Sequence, residues 1–369
     1  MVKKHVYIIG AGVTGLFAAA ELAARGIDVT VYDSKKEVEQ GAEKASGVLS
    51  KRGLNEAGIP YKGSEINVLK GAWLYAGSEA LKIKSEKEMA YVIDRKKLVR
   101  LCYENSVEKG AKIELGRKIE REELQELSKS GNIIVGADGA VSTVASTFGF
   151  PKINEYILTY KAEYSKAKVE DSEMVSLVFS NRIKRFFGWS VPYSKSKIEI
   201  GVGISNRAKT SSTYAFGELL KENPIKEAIE GAKEEVRHAS VIPLSVREKT
   251  VKRNVLLVGD AAGQVKATTG GGIIFGSLCA KEAAMAIEKN IKEGASLEAY
   301  EKMWRAKYGM ELRLHNIAHE YYSSLSTKGF ERLFKMARIF GMDDFLSIYG
   351  DMDSPSRIIK RFFLRGLAE

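Results

Sequence analysis

The sequence predicts an α/β fold, and three strand–glycine–helix units predict it. They are "HVYIIGAGVTGLFAAAELAARGIDVTVYD" (residues 5–33), "GNIIVGADGAVSTVASTFG" (131–149) and "NVLLVGDAAGQVKATTGGGIIFGSLCAKEAAMAI" (254–287). In each, a short apolar run stops at a glycine and a helical stretch follows. That order is expected of a parallel sheet with crossover helices.

In the first unit, Val6 to Ile9 reads as a buried strand. Gly10, Gly12 and Gly15 follow at G-x-G-x-x-G spacing, and Leu16 to Arg25 is Ala-rich and helical. Gly26 ends that helix, and the next strand runs to Asp33. Gly10 makes the turn, Gly12 lets the backbone approach a pyrophosphate, and Gly15 lets helix and strand pack closely. The helix N-terminus offers free N–H groups to the phosphate. Asp33 stands where an acid accepts hydrogen bonds from ribose hydroxyls. The unit is a Rossmann-type dinucleotide site and does not distinguish NAD from FAD.

The third unit points to FAD. Val255 to Val258 is a strand, Gly259-Asp260 ends it, and Gly270, Gly271 and Gly272 open a long helix. A second helix N-terminus suits a ribitol chain and the N1–C2=O edge of a flavin, with Asp260 on a ribitol hydroxyl. In the second unit Asp138 and Gly139 turn the chain into a helix near the middle of such a cofactor.

Between these units, "FGWSVPYSKSKIEIGVG" (187–203) reads as a β-hairpin. It places Phe187, Trp189, Val191 and Tyr193 at every second position, so the four share one face. Large flat apolar groups can wrap a hydrocarbon without asking for hydrogen bonds, and they can also simply be core.

Together these motifs resemble flavoproteins built like p-hydroxybenzoate hydroxylase. Within that group the chain is most similar to the geranylgeranyl reductase family, including the archaeal digeranylgeranylglycerophospholipid reductases. The resemblance runs from about Val6 to Lys289. The features particular to that family are Phe187-Gly188-Trp189-Ser190-Val191-Pro192 and the Thr269-Gly270-Gly271-Gly272-Ile273 loop. The resemblance implies FAD, with Thr14 at the pyrophosphate, Asp33 at the adenosine ribose and Arg95 at the middle of the cofactor. Asp260, Gly271, Gly272 and Ile273 would take the ribitol and ring end. Gly10, Gly12, Gly15, Asp138, Gly139 and the turn Ala45, Ser46, Gly47 complete the implied cofactor set. Phe187, Trp189, Pro192 and Tyr193 would line the cavity for an isoprenoid chain. Two departures stand out. Ala45 and Ser46 occupy the place where the family commonly has a cysteine, and Ala267 replaces a proline before the glycine loop.

The implied activity is saturation of isoprenoid double bonds by hydride from reduced flavin. No side chain is singled out as a catalytic residue or proton donor. The electron donor stays open among a ferredoxin, a reduced deazaflavin and NAD(P)H. The alternative is a monooxygenase or halogenase of the same fold. "FGWSVP" is close to the Trp–x–Trp–x–Ile–Pro of halogenases, and Lys62 and Lys70 lie in the region of their catalytic lysine, in no recognisable context. A non-enzymatic prenyl-lipid carrier is opposed by the intact glycines and acids.

The composition is that of a globular protein: 369 residues, 44% hydrophobic and 28% charged. No run is long enough to span a membrane and no leader pattern is evident, so the expected location is cytoplasmic. Two cysteines, Cys102 and Cys279, read as reduced and buried, and are too few for an iron–sulfur cluster. His315 and His319 are spaced i,i+4 but lack a third metal ligand, so no metal is expected. The net charge is +11, yet no basic stripe interleaved with aromatics suggests nucleic acid. "SPSRIIKRFFLRGLAE" (354–369) sets Ile358, Ile359, Phe362, Phe363 and Leu367 on one side of a helix. Arg357, Lys360, Arg361 and Arg365 fall largely on the other. Such a helix suits peripheral contact with a membrane that holds an isoprenoid lipid. The expected organisation is a discontinuous FAD-binding domain (1–60, 90–152 and 250–295). A β-sheet substrate domain (61–89 and 153–249) and a helical C-terminal region (296–369) complete it.

Overall fold

The protein is described by a computed structural model covering residues 4–129 and 131–366. Its first sheet grows outward from Val6–Ile9, which pairs in parallel with Val29–Asp33 on one side and Ile133–Gly136 on the other. Lys112–Leu115 extends one edge, and Val255–Leu257 with the antiparallel Val251–Lys252 extends the other. The alternation of each strand sorts its side chains. Val6, Ile8, Val31, Ile133 and Val135 share a core with Leu16 of helix Val13–Ala23 and Phe275 of helix Ile273–Glu293. Ile9, Ile134 and Leu257 face the opposite way, toward Leu124 and Val144 of helices Arg121–Lys129 and Thr143–Thr147. With helices on both faces, these strands read as continuous apolar runs.

The second sheet has seven strands in the order Lys233–Pro243, Tyr156–Ser165, Lys197–Ser205, Gly188–Pro192, Met174–Val178, Gly71–Ala76, Glu79–Lys84. One face packs Ile198, Ile200, Val202 and Ile204 on Phe216 and Leu219 of helix Ser212–Leu219. The other carries Phe187, Trp189 and Val191 toward Phe330 and Phe334 of helix Thr327–Ile339. The expected shared face of Phe187, Trp189, Val191 and Tyr193 is therefore present, and all four join one apolar cluster. Lys233–Pro243 escapes a reading of apolar alternation because it is an edge strand with mostly exposed side chains.

A third, three-stranded sheet (Val48–Ser50, Ala90–Ile93, Glu65–Leu69) joins the two larger ones. Helices Glu298–Ser323, Thr327–Ile339, Met342–Tyr349 and Pro355–Gly366 end the chain. Leu367 and the side chain of Arg365, both counted in the terminal amphipathic pattern, lie outside the described residues. Among the described residues no helix is long and apolar enough to cross a membrane.

Candidate functional site

Close backbone approaches draw the three glycine units together. Gly10 has φ +110°, and a Cβ there would stand 2.3 Å from the Ala137 carbonyl oxygen, inside the second unit. A Cβ on Gly15 would stand 1.9 Å from the Gly10 carbonyl oxygen. Both positions require glycine for packing. Gly12 differs: a Cβ there meets nothing within 4 Å. Its lack of a side chain serves no contact among the described residues, as expected of a backbone that something else approaches. Thr14 packs between Gly259 and Gly276 of the third unit, where added Cβ atoms would fall 3.0 and 2.7 Å from its side chain.

The acids have different fates. The Asp33 Oδ2 accepts from the Ala11 amide (2.6 Å) and Oδ1 from the Lys35 amide (2.9 Å), so Asp33 braces the glycine turn. Lys35 Nζ lies 3.4 Å from the same carboxylate. Asp138 accepts from the Ser142 hydroxyl (2.6 Å) and the Val144 amide (3.0 Å), holding the start of the following helix. Burial pushes its carboxyl up, against the pull of those donors. Asp260 lies against the N-terminal turn of Ile273–Glu293: a Cβ on Gly272 would fall 2.4 Å from its Oδ1. Burial pushes the Asp260 carboxyl up to about 6, with Arg95 pulling it down. Burial also pulls the Arg95 guanidinium down to about 10, opposed by Asp260 and Glu199.

Arg95 opens helix Arg95–Glu108, capped by Asp94. Its Nε is buried with no hydrogen-bond partner among the described residues. An unpartnered buried guanidinium N–H costs free energy, and a polar ligand would repay it. The donor set thus fits FAD. Gly12 leaves its backbone open, Arg95 keeps a buried Nε without a partner among the described residues, a helix N-terminus at Gly272 stands free of side-chain capping, and Asp260 can accept from hydroxyls.

Asp260 carries a testable cost. Its carboxyl titrates about 6 in the fold against 3.8 in an unfolded chain, so the folded state binds more protons between those values. Stability therefore falls as pH rises through that window. FAD-free Asp260→Asn should melt above wild type at pH 7, with the gap closing below about pH 4. Thermal melts across that range measure it, and equal melting temperatures at pH 7 would refute the buried charge.

The substrate-side residues meet a group that sequence reasoning passed over. Glu199 is fully buried and saturated with donors. Its Oε1 accepts from Trp189 Nε1 (2.8 Å) and the Ser46 hydroxyl, its Oε2 from Lys161 Nζ (2.5 Å) and the Tyr193 hydroxyl (2.8 Å). Lys161 also donates to the Ala45 carbonyl at 3.2 Å. Burial works to raise the Glu199 carboxyl, yet Lys161, Ser46 and Trp189 hold it below the usual range. Burial and the facing Glu199 push the Tyr193 phenol far up. The strand register explains the geometry. Trp189 sits opposite Gly201 and Val191 opposite Glu199, so the carboxylate shares the aromatic face. Gly201 makes room for the indole: a Cβ there would lie 2.2 Å from the Trp189 ring. The usable signal was "KIEIGVG", a lone acid between isoleucines with two glycines on its own side of the strand.

This hub fastens the aromatic hairpin to the Ala45–Ser46–Gly47 turn. Gly47 is itself pressed on the Ile93 backbone, where a Cβ would fall 2.2 Å from its oxygen. Pro192 is buried, and its carbonyl accepts from Asn67. A second buried pair, Lys266 Nζ to Asp353 Oδ1 (2.6 Å), ties the loop before Gly271 to the segment before the last helix, with Ser50 donating to the same carboxylate. His315 spends Nδ1 on the Thr268 hydroxyl (2.6 Å), and burial holds its ring down to about 4. His319 donates to the Arg185 carbonyl at 3.0 Å. Lys70, weighed as a halogenase-type lysine, pairs with Glu173 at 2.7 Å.

The FAD binding domain family matches residues 3–303. A curated but uncharacterized protein of Methanocaldococcus jannaschii is 30% identical over 330 residues, 85% of this chain and 84% of that one. Digeranylgeranylglycerophospholipid reductase 1 of Methanopyrus kandleri is 28% identical over 326 residues, 82% of this chain and 86% of that one. The chain belongs to the FAD binding domain family, and the relatives similar to it over most of its length include digeranylgeranylglycerophospholipid reductases. It is a FAD-dependent oxidoreductase. A geranylgeranyl bacteriochlorophyll reductase-like protein of Thermoplasma acidophilum shares the fold, with TM-score 0.80 at 19% identity over 96% of this chain and 94% of that one. A flavin-dependent brominase shares it more distantly, with TM-score 0.71 at 12% identity over 99% of this chain and all of the other. At such identities these likenesses speak to fold alone.

Proposed function

We propose that this FAD-dependent oxidoreductase saturates double bonds in the geranylgeranyl chains of membrane lipids or their prenyl precursors. One observation carries the reading. Ala267, in the loop that leads to Gly270–Gly272, lies in the same apolar cluster as Phe187, Trp189 and Val191. The aromatic face and the loop implied for the flavin end of FAD are thus one continuous environment, apolar where an alkene would have to lie. Reduced FAD bound there would supply a hydride to one alkene carbon while a proton reaches the other, leaving the flavin oxidised. Arg95, Asp260 and the helix start at Gly272 hold and orient the cofactor. Phe187 and Trp189 flank the chain and exclude water. Glu199 fixes Trp189 and Tyr193 so that the hairpin keeps one geometry. A lipid-borne substrate also requires the protein to meet a bilayer, and the basic terminal helix suits peripheral contact.

The test is a reaction of dithionite-reduced protein with geranylgeranylated lipid under anaerobic conditions. Flavin reoxidation should track a gain of two mass units per double bond. Reduced flavin that ignores the lipid, yet reacts with oxygen and a halide or aromatic acceptor, would move the chain to the monooxygenase or halogenase reading.

A further inference from the structure

The structure assigns a docking face for an anionic lipid bilayer to three C-terminal helices, Thr327–Ile339, Met342–Tyr349 and Pro355–Gly366, and not to the last one alone. Two exposed apolar triplets mark it, both spaced i,i+3,i+4. Met336, Ile339 and the capping Phe340 are 54–77% exposed, and Ile359, Phe362 and Phe363 are 43–68% exposed. Helical spacing puts each triplet on a single stripe. Between them, Ile348 is 68% exposed, and Phe345 packs edge-on against Phe362 with ring centroids 5.7 Å apart, joining the middle and last helices. Large apolar side chains grouped in this way, on consecutive helices, are unusual for a surface that meets only water.

Charge selects the partner. Helix Thr327–Ile339 carries Lys328, Arg332, Lys335 and Arg338 against Glu331, with Lys335 and Arg338 also paired to Glu79. Met342–Tyr349 adds Asp343 and Asp344. Pro355–Gly366 carries Arg357, Lys360 and Arg361 with no acid, so the three helices together remain net positive. Long cations beside an apolar stripe reach up to lipid phosphates while the stripe enters the acyl boundary. A second copy of this chain would bring like charge against like charge, which disfavours a symmetric dimer across this face.

The face is also continuous with the aromatic cluster. Helix Thr327–Ile339 turns Met336 and Ile339 outward, while its Phe330 stacks on Phe179 at 4.4 Å and Phe179 adjoins Phe187 at 5.9 Å. One helix therefore separates the lipid surface from the proposed chain-binding face. The purpose of docking rests on the substrate reading above, but vesicle binding is measured without substrate.

FAD-loaded full-length protein is mixed with phosphatidylglycerol-rich or pure phosphatidylcholine vesicles and separated by flotation. Wild type should float with the anionic vesicles. Ile339→Asp/Phe340→Asp and, separately, Phe363→Asp should bind at least tenfold more weakly while keeping wild-type flavin absorbance and melting temperature. Lys360→Glu/Arg361→Glu should lose the preference for anionic lipid. Absence of wild-type binding, or unchanged binding by the apolar variants, overturns the proposal. So does a wild-type dimer that these variants convert to monomers, which would make the partner a second copy. Hydrogenation of detergent-dispersed lipid separates the two readings. If it persists while vesicle binding fails, only the docking face is wrong, and if vesicles bind but no lipid is reduced, only the substrate is.

Discussion

Replacing Lys161 with alanine should destabilise the protein by about 3–5 kcal/mol, the usual cost of leaving a buried carboxylate without its cation. Lys161 and Glu199 are 3% and 0% exposed, so water cannot take over the solvation of Glu199. Glu199 would still accept from Ser46, Trp189 and Tyr193, but three neutral donors do not balance a charge in this interior. Part of the loss should return as pH falls, because protonating Glu199 removes the unpaired charge. With its cation gone, that carboxyl titrates above the unfolded value, and stability then declines as pH rises through it. Glu199→Leu in the Lys161→Ala background should recover only part of the loss, since Trp189, Tyr193 and Ser46 would keep their donors and lose the acceptor. Chemical denaturation of the three proteins decides it. A cost below about 1 kcal/mol for Lys161→Ala would mean that the pair behaves like an exposed one.

Gly15→Ala and Gly12→Ala should fail in opposite ways. At Gly15 the new methyl would overlap the Gly10 carbonyl oxygen, 1.9 Å away, and backbone cannot give way there as a flexible side chain would. Helix Val13–Ala23 must lift from the turn, at an overpacking cost of about 1–3 kcal/mol or more, and FAD should be lost with the fold's rigidity. At Gly12 the methyl meets no protein atom within 4 Å. That variant should melt like wild type without FAD, yet bind FAD at least about tenfold more weakly, a difference of about 1.4 kcal/mol. Thermal melts of the FAD-free proteins and flavin fluorescence titrations read the two effects separately. Wild-type FAD affinity in Gly12→Ala would remove this loop from the cofactor site.

The contrast between these glycines shows how far the site was legible. G-x-G-x-x-G spacing announced the turn and both strands around it. It also assigned packing to Gly15 and an approaching ligand to Gly12, but did not show that Gly10 presses on the Ala137 carbonyl of a distant unit. Asp33 was expected to face ribose hydroxyls, and the fold also spends its carboxylate on the Ala11 amide and Lys35. The i,i+4 histidines were unremarkable in sequence, and their partners, Thr268 and the Arg185 carbonyl, come from distant segments. The hairpin's shared aromatic face followed from a period of two. Its saturation by one carboxylate did not.

The three strand–glycine–helix units, the aromatic alternation and the basic amphipathic terminus follow from local chain geometry, so the sequence by itself determined the α/β class and the FAD-type motifs. Burial of Lys161, Glu199, Lys266 and Asp353 was decided only by tertiary structure. Each pair joins residues far apart in the chain, 38 positions for Lys161 and Glu199 and 87 for Lys266 and Asp353. A charge is tolerated inside only where its partner arrives, and no local pattern records that arrival.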